Sequence, residues 1–152
     1  MSMFDSSKTD CTNNRHRFGF GLTYTNFTYS NLQTSYTDKT AGDQTLIPGG
    51  KKGLFDTVAT VTATIKNIGT VAAAEVAQLY IGIPSTNTPT KQLRGFQKVL
   101  VQPGVSQTVT FNLRRKDISS WDVASQSWIT PSGTFQVYVG ASSRDVRLTG
   151  TM

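Results

Sequence analysis

The chain has 152 residues, of which 37% are hydrophobic and 10% are aromatic, a content too rich in core-forming side chains for a disordered protein. This length fits one domain with a hydrophobic core of its own. No apolar run approaches the roughly 18 residues that a membrane-spanning helix needs, and a single cysteine, Cys11, excludes an internal disulfide.

The chain is basic, since 15 Lys and Arg against 9 Asp and Glu give a net charge of +6. Such a balance favours polyanionic partners such as nucleic acid, acidic polysaccharide or anionic lipid. The cations are scattered, however, and only residues 114–116 form a dense run. They also lack the interleaved aromatic residues that single-stranded nucleic acid binding uses. We therefore expect solvated strand ends, and nucleic acid is disfavoured as a partner.

Residues 1–26 show neither helical nor strand periodicity and are predicted to form a linker or N-terminal extension. No apolar h-region of a signal peptide follows Met1. Residues 27–152 are predicted to form one domain of short strands. The clearest strand is 57–67, in which alanine, valine and isoleucine alternate with threonine and lysine. The polar, glycine-rich stretch 36–56 interrupts the pattern and is predicted to be a long mobile loop between the first two strands.

The remaining elements follow from alternating apolar residues bounded by turn residues. Asp117 is predicted to cap a single helical turn that extends to Ser120. Residues 121–130 are predicted to form a tight hairpin around 124–126. The other predicted strands are 76–84, 92–102 with a bulge near Gly95, 105–114, 134–140 and 146–151.

Seven or eight short strands without a long helix predict an all-β, two-sheet β-sandwich of the immunoglobulin-like kind. Parallel α/β folds are excluded because nothing is available to form crossover helices.

The sequence carries no recognisable catalytic constellation. Glu75 is the only glutamate, and capping or pairing with neighbouring cations explains Asp117 and Asp122 better than a catalytic carboxylate pair does. Cys11 and the only histidine, His16, lie in the polar terminal segment, where nothing fixes their geometry. One histidine and one cysteine cannot complete a zinc site. We therefore predict a non-enzyme without cofactor or metal.

Two features could support binding. Trp121 and Trp128 lie symmetrically about the predicted hairpin turn, and together with Tyr138 they could stack on sugar rings or on an aromatic polymer. The alternative, which we favour, is that the two indoles cover the open end of the core. Asn26 begins the only N-glycosylation sequon, which hints at a secreted parent.

Five blocks resemble one known family in order and in detail. They are FGFGLTYT at 18–25, EVAQLY at 75–80, KQLRGFQKV at 91–99, RKDISSWD at 115–122 and VGASSRD at 139–145. Together they cover about residues 17–152 and are similar to the last domain of fungal family 3 glycoside hydrolases, the β-glucosidases. Residues 11–16 do not fit that pattern, and Thr23 replaces the usual serine.

The resemblance implies a fibronectin type III-like C-terminal domain, an extracellular parent and no catalytic residue in this chain. In that family the nucleophilic aspartate and the acid/base carboxylate belong to preceding domains. A parent would hydrolyse terminal β-D-glucosyl bonds during cellulose breakdown, and this chain would be its accessory domain.

Two functions follow as hypotheses. In the first, the domain docks on the catalytic domains of a parent enzyme and stabilises them, because the family-like residues lie in turns and loops. In the second, basic and aromatic surface residues attach the domain to lignin or cell-wall polysaccharide. The candidate docking or binding residues are Tyr24, Lys91, Arg94, Phe96, Arg115, Trp121, Trp128 and Tyr138.

Overall fold

The computed structural model describes residues 21–37, 42–86 and 88–152. Cys11, His16 and the first three residues of the block at 18–25 lie outside these ranges. Eleven strands form in the described residues: β1 (Phe27–Tyr36), β2 (Leu46–Ile47), β3 (Gly50–Lys51), β4 (Thr57–Asn67), β5 (Ala73–Gly82), β6 (Gln92–Val101), β7 (Ser106–Arg114), β8 (Ser120–Asp122), β9 (Ser127–Ile129), β10 (Gln136–Ser142) and β11 (Asp145–Thr151). Two 3₁₀ helices, Lys52–Phe55 and Arg115–Ile118, complete the elements.

The strands form two main antiparallel sheets that pack as a sandwich, which confirms the predicted fold class. One sheet has three strands in the order β1-β4-β7, and the other has four in the order β11-β10-β5-β6. Two short hairpins, β2-β3 and β8-β9, stand apart from them. In the described ranges, no helix combines the length and apolarity needed to cross a membrane.

The core lies between the two sheets and consists of the inward-facing residues of each strand. The alternation predicted for 57–67 is confirmed, because Ala59, Val61, Ala63 and Ile65 are all buried. The facing sheet contributes residues with the same two-residue period, including Ala77, Leu79, Ile81, Val137 and Val139. This period places every second side chain of a strand on the same side, so each sheet also has an outer face.

Two local predictions are corrected by the structure. Asp117 does not cap a helical turn at its start but lies inside the 3₁₀ helix Arg115–Ile118, where its carboxylate accepts a hydrogen bond from the Arg114 backbone N–H at 2.9 Å. The described part of 36–56 is not a structureless loop, since β2 and β3 pair there and a 3₁₀ helix follows. Gly49 and Gly50 adopt the positive φ angles that close this hairpin, which few other residues tolerate.

Candidate docking site

The outer faces of the two sheets differ in polarity. On the three-stranded sheet, the cross-strand rows are polar throughout: Thr28, Lys66 and Ser106; Ser30, Thr64 and Thr108; Gln33, Thr62 and Thr110; Ser35, Thr60 and Asn112. This is the arrangement expected of an antiparallel sheet whose outer face meets water.

The outer face of the four-stranded sheet breaks this rule on β5 and β6. Cross-strand pairing places Phe96 opposite Gln78, Leu93 opposite Tyr80, and Leu100 opposite Ala74. Phe96 is 71% exposed and Leu100 is 61% exposed, and Val76 and Leu93 are exposed on the same face. We call Val76, Leu93, Phe96 and Leu100 the outer apolar face. Lys98 lies between Phe96 and Leu100 on this face, opposite Val76. Exposed apolar residues gathered on one sheet face and bordered by polar residues are typical of an interaction surface.

Two further candidate residues border this face. Tyr138 of β10 pairs with Tyr80 of β5, so its ring lies in the same outward row as Leu93. The Lys91 ammonium lies 5.5 Å from the centre of the Tyr138 ring, and it donates a hydrogen bond to the Ser143 carbonyl oxygen at 3.2 Å. The structure therefore places Tyr138 beside Lys91 on the sheet and not in the tryptophan hairpin.

A β-bulge in β6 gives Arg94 an orientation of its own. Leu79 pairs with Gly95 and Tyr80 pairs with Leu93, so Arg94 is the extra residue between them, which confirms the predicted bulge near Gly95. A bulge re-aims a side chain that regular alternation would direct elsewhere. Here it turns Arg94 into a groove of about 440 Å³ between β6 and the 3₁₀ helix Arg115–Ile118.

The groove is lined by cations and aromatic rings. Arg94 and Lys116 enter it from opposite sides, together with Phe55, Trp128, Arg114 and Asp117. The Lys116 ammonium lies 5.2 Å from the Trp128 ring centre and 5.7 Å from that of Phe55, as in a cation–π contact. Burial lowers the pKa of the Arg94 guanidinium from its usual range, and the nearby Asp117 carboxylate acts in the opposite direction.

The predicted tryptophan hairpin is confirmed, with Trp121 of β8 directly opposite Trp128 of β9. Their ring centres are 5.7 Å apart and their planes are inclined at 70°. Trp121 is 47% exposed, whereas Trp128 is half-buried against the groove. An edge-to-face pair stabilises the hairpin, but only one of its rings can lie flat against a planar surface.

Arg115 is buried, and its guanidinium faces the interior of the chain. Its Nε donates a hydrogen bond to the Gly53 carbonyl oxygen at 3.2 Å, and its backbone N–H donates to the Asp56 carbonyl oxygen at 2.9 Å. These contacts fasten the segment that follows β3 to the 3₁₀ helix Arg115–Ile118. The side chain thus holds two segments of the domain together.

Tyr24 and Asn26 lie at the far end of the sandwich. Tyr24 is 99% exposed, and Asn26 is also exposed. Both residues precede β1 and lie beside Asn67, the last residue of β4. The groove lies at the other end of this strand, beyond its first residue, Thr57. The eleven residues of β4 are separated by steps of about 3.3 Å, so its first and last residues are about 33 Å apart. The structure therefore places Arg94 and Trp128 in one groove and Lys91 beside Tyr138, and it separates Tyr24 from both pairs.

Within the described ranges, no three His, Cys, Asp or Glu side chains gather in a way that could hold a metal ion. Asp117 and Asp122, the two aspartates weighed as catalytic carboxylates, are both engaged locally: Asp117 with Arg114, and Asp122 with the backbone N–H and hydroxyl of Ser125. The hydrogen bonds from Ser125 hold the pKa of Asp122 below its usual range.

Sequence reasoning missed the outer apolar face and Lys116. The signal for the face is present in β6, where Phe96, Lys98 and Leu100 alternate with Gln97 and Val99. This alternation predicts an exposed apolar face only when the pairing with β5 shows which of the alternating side chains of β6 point toward the core. No sequence pattern indicates that Lys116 lies between two rings.

Comparison with known proteins finds relatives of this domain. Residues 75–143 match the model of the fibronectin type III-like domain. A probable β-glucosidase L of Neosartorya fischeri is 53% identical over 140 residues, which cover 90% of this chain and 19% of that protein. The structure of β-glucosidase D2-BGL from Chaetomella raphigera is 62% identical, with a TM-score of 0.87 over 89% of this chain and 19% of that one. A glycoside hydrolase family 3 β-glucosidase from Neurospora crassa is 27% identical over 89% of this chain and 25% of that one, with a TM-score of 0.81.

The chain thus spans about a fifth of the length of the curated relatives that it matches. The resemblance drawn from the five sequence blocks is confirmed, and so is the prediction that the domain is an accessory, non-catalytic part. Residues 75–143 thus resemble fibronectin type III-like domains, and most of the chain is similar to a segment of fungal β-glucosidases.

Proposed function

We propose that this domain docks on the catalytic domains of a parent family 3 glycoside hydrolase through the outer apolar face, and that this contact stabilises the enzyme. The parent would be a secreted, extracellular β-glucosidase that cleaves terminal β-D-glucosyl bonds in cellulose breakdown. The names of the relatives and the exposed sequon at Asn26 support this assignment.

The observation that carries the proposal is the contrast between the two outer faces. One is uniformly polar, whereas the other presents Phe96 and Leu100 to solvent. Interfaces between domains of one chain bury surfaces of this kind. Since the chain corresponds to about a fifth of its relatives, a large covering surface is available in the rest of such an enzyme.

A chimeric enzyme tests the proposal. The matched segment of Chaetomella raphigera β-glucosidase is replaced by this chain, and Leu100→Ser is compared with Ile68→Ser, a control residue of similar exposure, 57%, in a turn at the end of the sandwich. We expect Leu100→Ser to lower the thermal midpoint of the chimera more than that of the separate chain, because only the chimera buries Leu100. Equal shifts in both proteins would contradict docking through this face.

A second candidate function is attachment to lignin or cell-wall polysaccharide. The exposed indole of Trp121 and the net charge of +6 favour it. The 70° angle between the two indoles disfavours a flat stacking platform. Sedimentation with cellulose, chitin and lignin at low and high salt tests it, and Trp121→Ala should abolish any retention that depends on stacking. Absence of retention at low salt would exclude this function.

A further inference from the structure

The groove between β6 and the 3₁₀ helix Arg115–Ile118 contains more positive charge than its own carboxylate balances. Asp117 is the acidic residue in its lining, and both of its oxygens are used by Arg114. Oδ2 accepts from the Arg114 backbone N–H at 2.9 Å and from Nε at 3.1 Å, and Oδ1 accepts from Nη2 at 3.1 Å. Asp117 lies near Arg94 but is engaged by Arg114, and no carboxylate of the described residues forms a salt bridge with Arg94 or Lys116.

Arg94 is incompletely hydrogen-bonded. Its Nη2 donates to the Gln92 side-chain oxygen at 2.6 Å, but its Nε is buried and has no acceptor in the described part of the chain. A buried donor without a partner is unfavourable, and a guanidinium is best satisfied by a planar carboxylate. The bulge holds this side chain in the groove, so the side chain cannot simply extend into solvent along the outer face.

Lys116 completes the arrangement from the other wall. Its ammonium has Trp128 and Phe55 as ring partners, and no carboxylate of the residues that the structure describes forms a salt bridge with it. Ser120 in the same lining adds a hydroxyl group that could hydrogen-bond an entering anion, whereas the Ser119 hydroxyl already donates to the Arg115 carbonyl oxygen at 2.7 Å. Since Arg94 follows Leu93 directly in β6, the groove opens next to the outer apolar face.

We propose that the groove receives an acidic side chain of the catalytic domain on which this domain docks, and that Arg94 and Lys116 bind its carboxylate. This inference rests on the proposed docking function. It adds that the catalytic domain contributes a carboxylate, which binds in the groove at the edge of the contact made by the outer apolar face. A charged contact of this kind fixes the orientation of the two domains more than it adds affinity.

Glutarate serves as the probe in solution. Titration of the isotopically labelled chain should shift the backbone N–H resonances of Ser120 and Trp128, which line the groove, in a saturable way, with affinity falling about tenfold in Arg94→Gln and in Lys116→Gln. Arg144→Gln removes an exposed arginine outside the groove and should leave the titration unchanged. A shift that does not saturate, or equal shifts in Arg94→Gln and the parent chain, would overturn the carboxylate site.

The chimeric enzyme separates this inference from docking itself. Arg94→Gln should destabilise the chimera more than the separate chain, and added salt should reduce the difference. In one outcome, Leu100→Ser lowers the thermal midpoint of the chimera more than that of the separate chain, while Arg94→Gln and Lys116→Gln lower the two midpoints equally. In that case the docking function is supported and the carboxylate contact is wrong. If Leu100→Ser also acts equally in both, the docking function itself fails. Tight binding of free glutarate without any effect in the chimera would assign the groove to a soluble acid and contradict the proposal.

Discussion

At the residue scale, the side-chain amide of Asn67 hydrogen-bonds to several chain segments that meet at one end of the sandwich. Asn67 is fully buried, and its Oδ1 accepts from the Thr25 hydroxyl at 2.7 Å and the Gly69 backbone N–H at 3.0 Å. Its Nδ2 donates to the carbonyl oxygens of Val71 at 2.8 Å and Val101 at 2.9 Å. One side chain therefore satisfies four groups, of which the Thr25 hydroxyl and the Val101 carbonyl form buried hydrogen bonds with it.

We expect Asn67→Ala to lower the free energy of unfolding by about 3 kcal/mol, since it removes four hydrogen bonds, two of them buried. Asn112→Ala on the exposed face of β7 is the control and should cost about 0.5 kcal/mol or less. Urea denaturation followed by tryptophan fluorescence measures both. Similar losses of unfolding free energy in the two variants would show that the hydrogen bonds of the Asn67 amide do not stabilise this end of the sandwich.

A second residue-scale prediction concerns Tyr29, whose hydroxyl donates to the Glu75 carboxylate at 2.7 Å. Burial, followed by the hydrogen bond and charge of Glu75, raises the pKa of Tyr29 far above its usual value near 10. The folded state therefore holds this proton more tightly, and its contribution to stability is complete below about pH 10 and is lost as the pH rises further.

Unfolding of the parent chain and Tyr29→Phe should be compared between about pH 8 and pH 11. The parent chain should be more stable at pH 8, and the difference should narrow above about pH 10, because only the parent chain can lose this proton. A difference that stays constant or widens above pH 10 would contradict the assigned role of the hydrogen bond.

At the element scale, β10 and β11 approach each other where their register shifts. A Cβ added to Gly140 would lie 2.0 Å from the Asp145 carbonyl oxygen and 2.8 Å from the Val146 Cα. Both are backbone atoms, so they cannot move aside as a side-chain end does. Gly140→Ala should lower the free energy of unfolding by about 3 kcal/mol.

Gly21→Ala is the matched control, because a Cβ there would meet nothing within 4 Å. It should change stability by about 0.5 kcal/mol at most. Chemical denaturation of the two variants under the same conditions provides the comparison. A Gly140→Ala chain as stable as the Gly21→Ala chain would mean that the two strands separate more easily than their contacts indicate.

Elements with a strict two-residue period were predicted well from the sequence. Irregular segments were predicted less well. The limits 57–67 of β4 agree with the sequence reading, and the bulge near Gly95 was predicted because Phe96 and Val99 differ in parity. Asp117 was misplaced because the same side chain can cap a turn from outside or accept from the preceding backbone N–H inside it. The hairpin β2-β3 was missed because it has two residues on each side, too few to show a period.

At the scale of the whole molecule, the sandwich presents one solvated face and one apolar face. Composition gives no sign of this contrast, since it depends on which strands pair and which parity faces inward. The family-like blocks supplied the candidate residues in and around β6, and Arg115 and Tyr24 show the limit of that approach. Both stand in such blocks, yet Arg115 binds a carbonyl oxygen of the chain's own 3₁₀ helix Lys52–Phe55, and Tyr24 lies at the end of β4 opposite the groove.

An exposed apolar face also has consequences for the separate chain. We expect it to bind a hydrophobic fluorescent dye and to associate weakly, because surface normally covered by another domain meets water. Leu100→Ser should reduce both effects, whereas Ile68→Ser should leave them largely unchanged. Dye titration and sedimentation at several protein concentrations measure this, and a dye-free monomer would count against an uncovered interface.

Hydroxyl-radical footprinting tests the central claim most directly, because it reports whether the ring of Phe96 is covered in an assembled enzyme. Phe96 should be modified readily in the separate chain, where it is 71% exposed, and about tenfold more slowly in the chimeric enzyme. Leu46, an exposed residue of β2 that lies off the apolar face, should be modified equally in both. Equal modification of Phe96 in the two proteins would contradict docking through the outer apolar face.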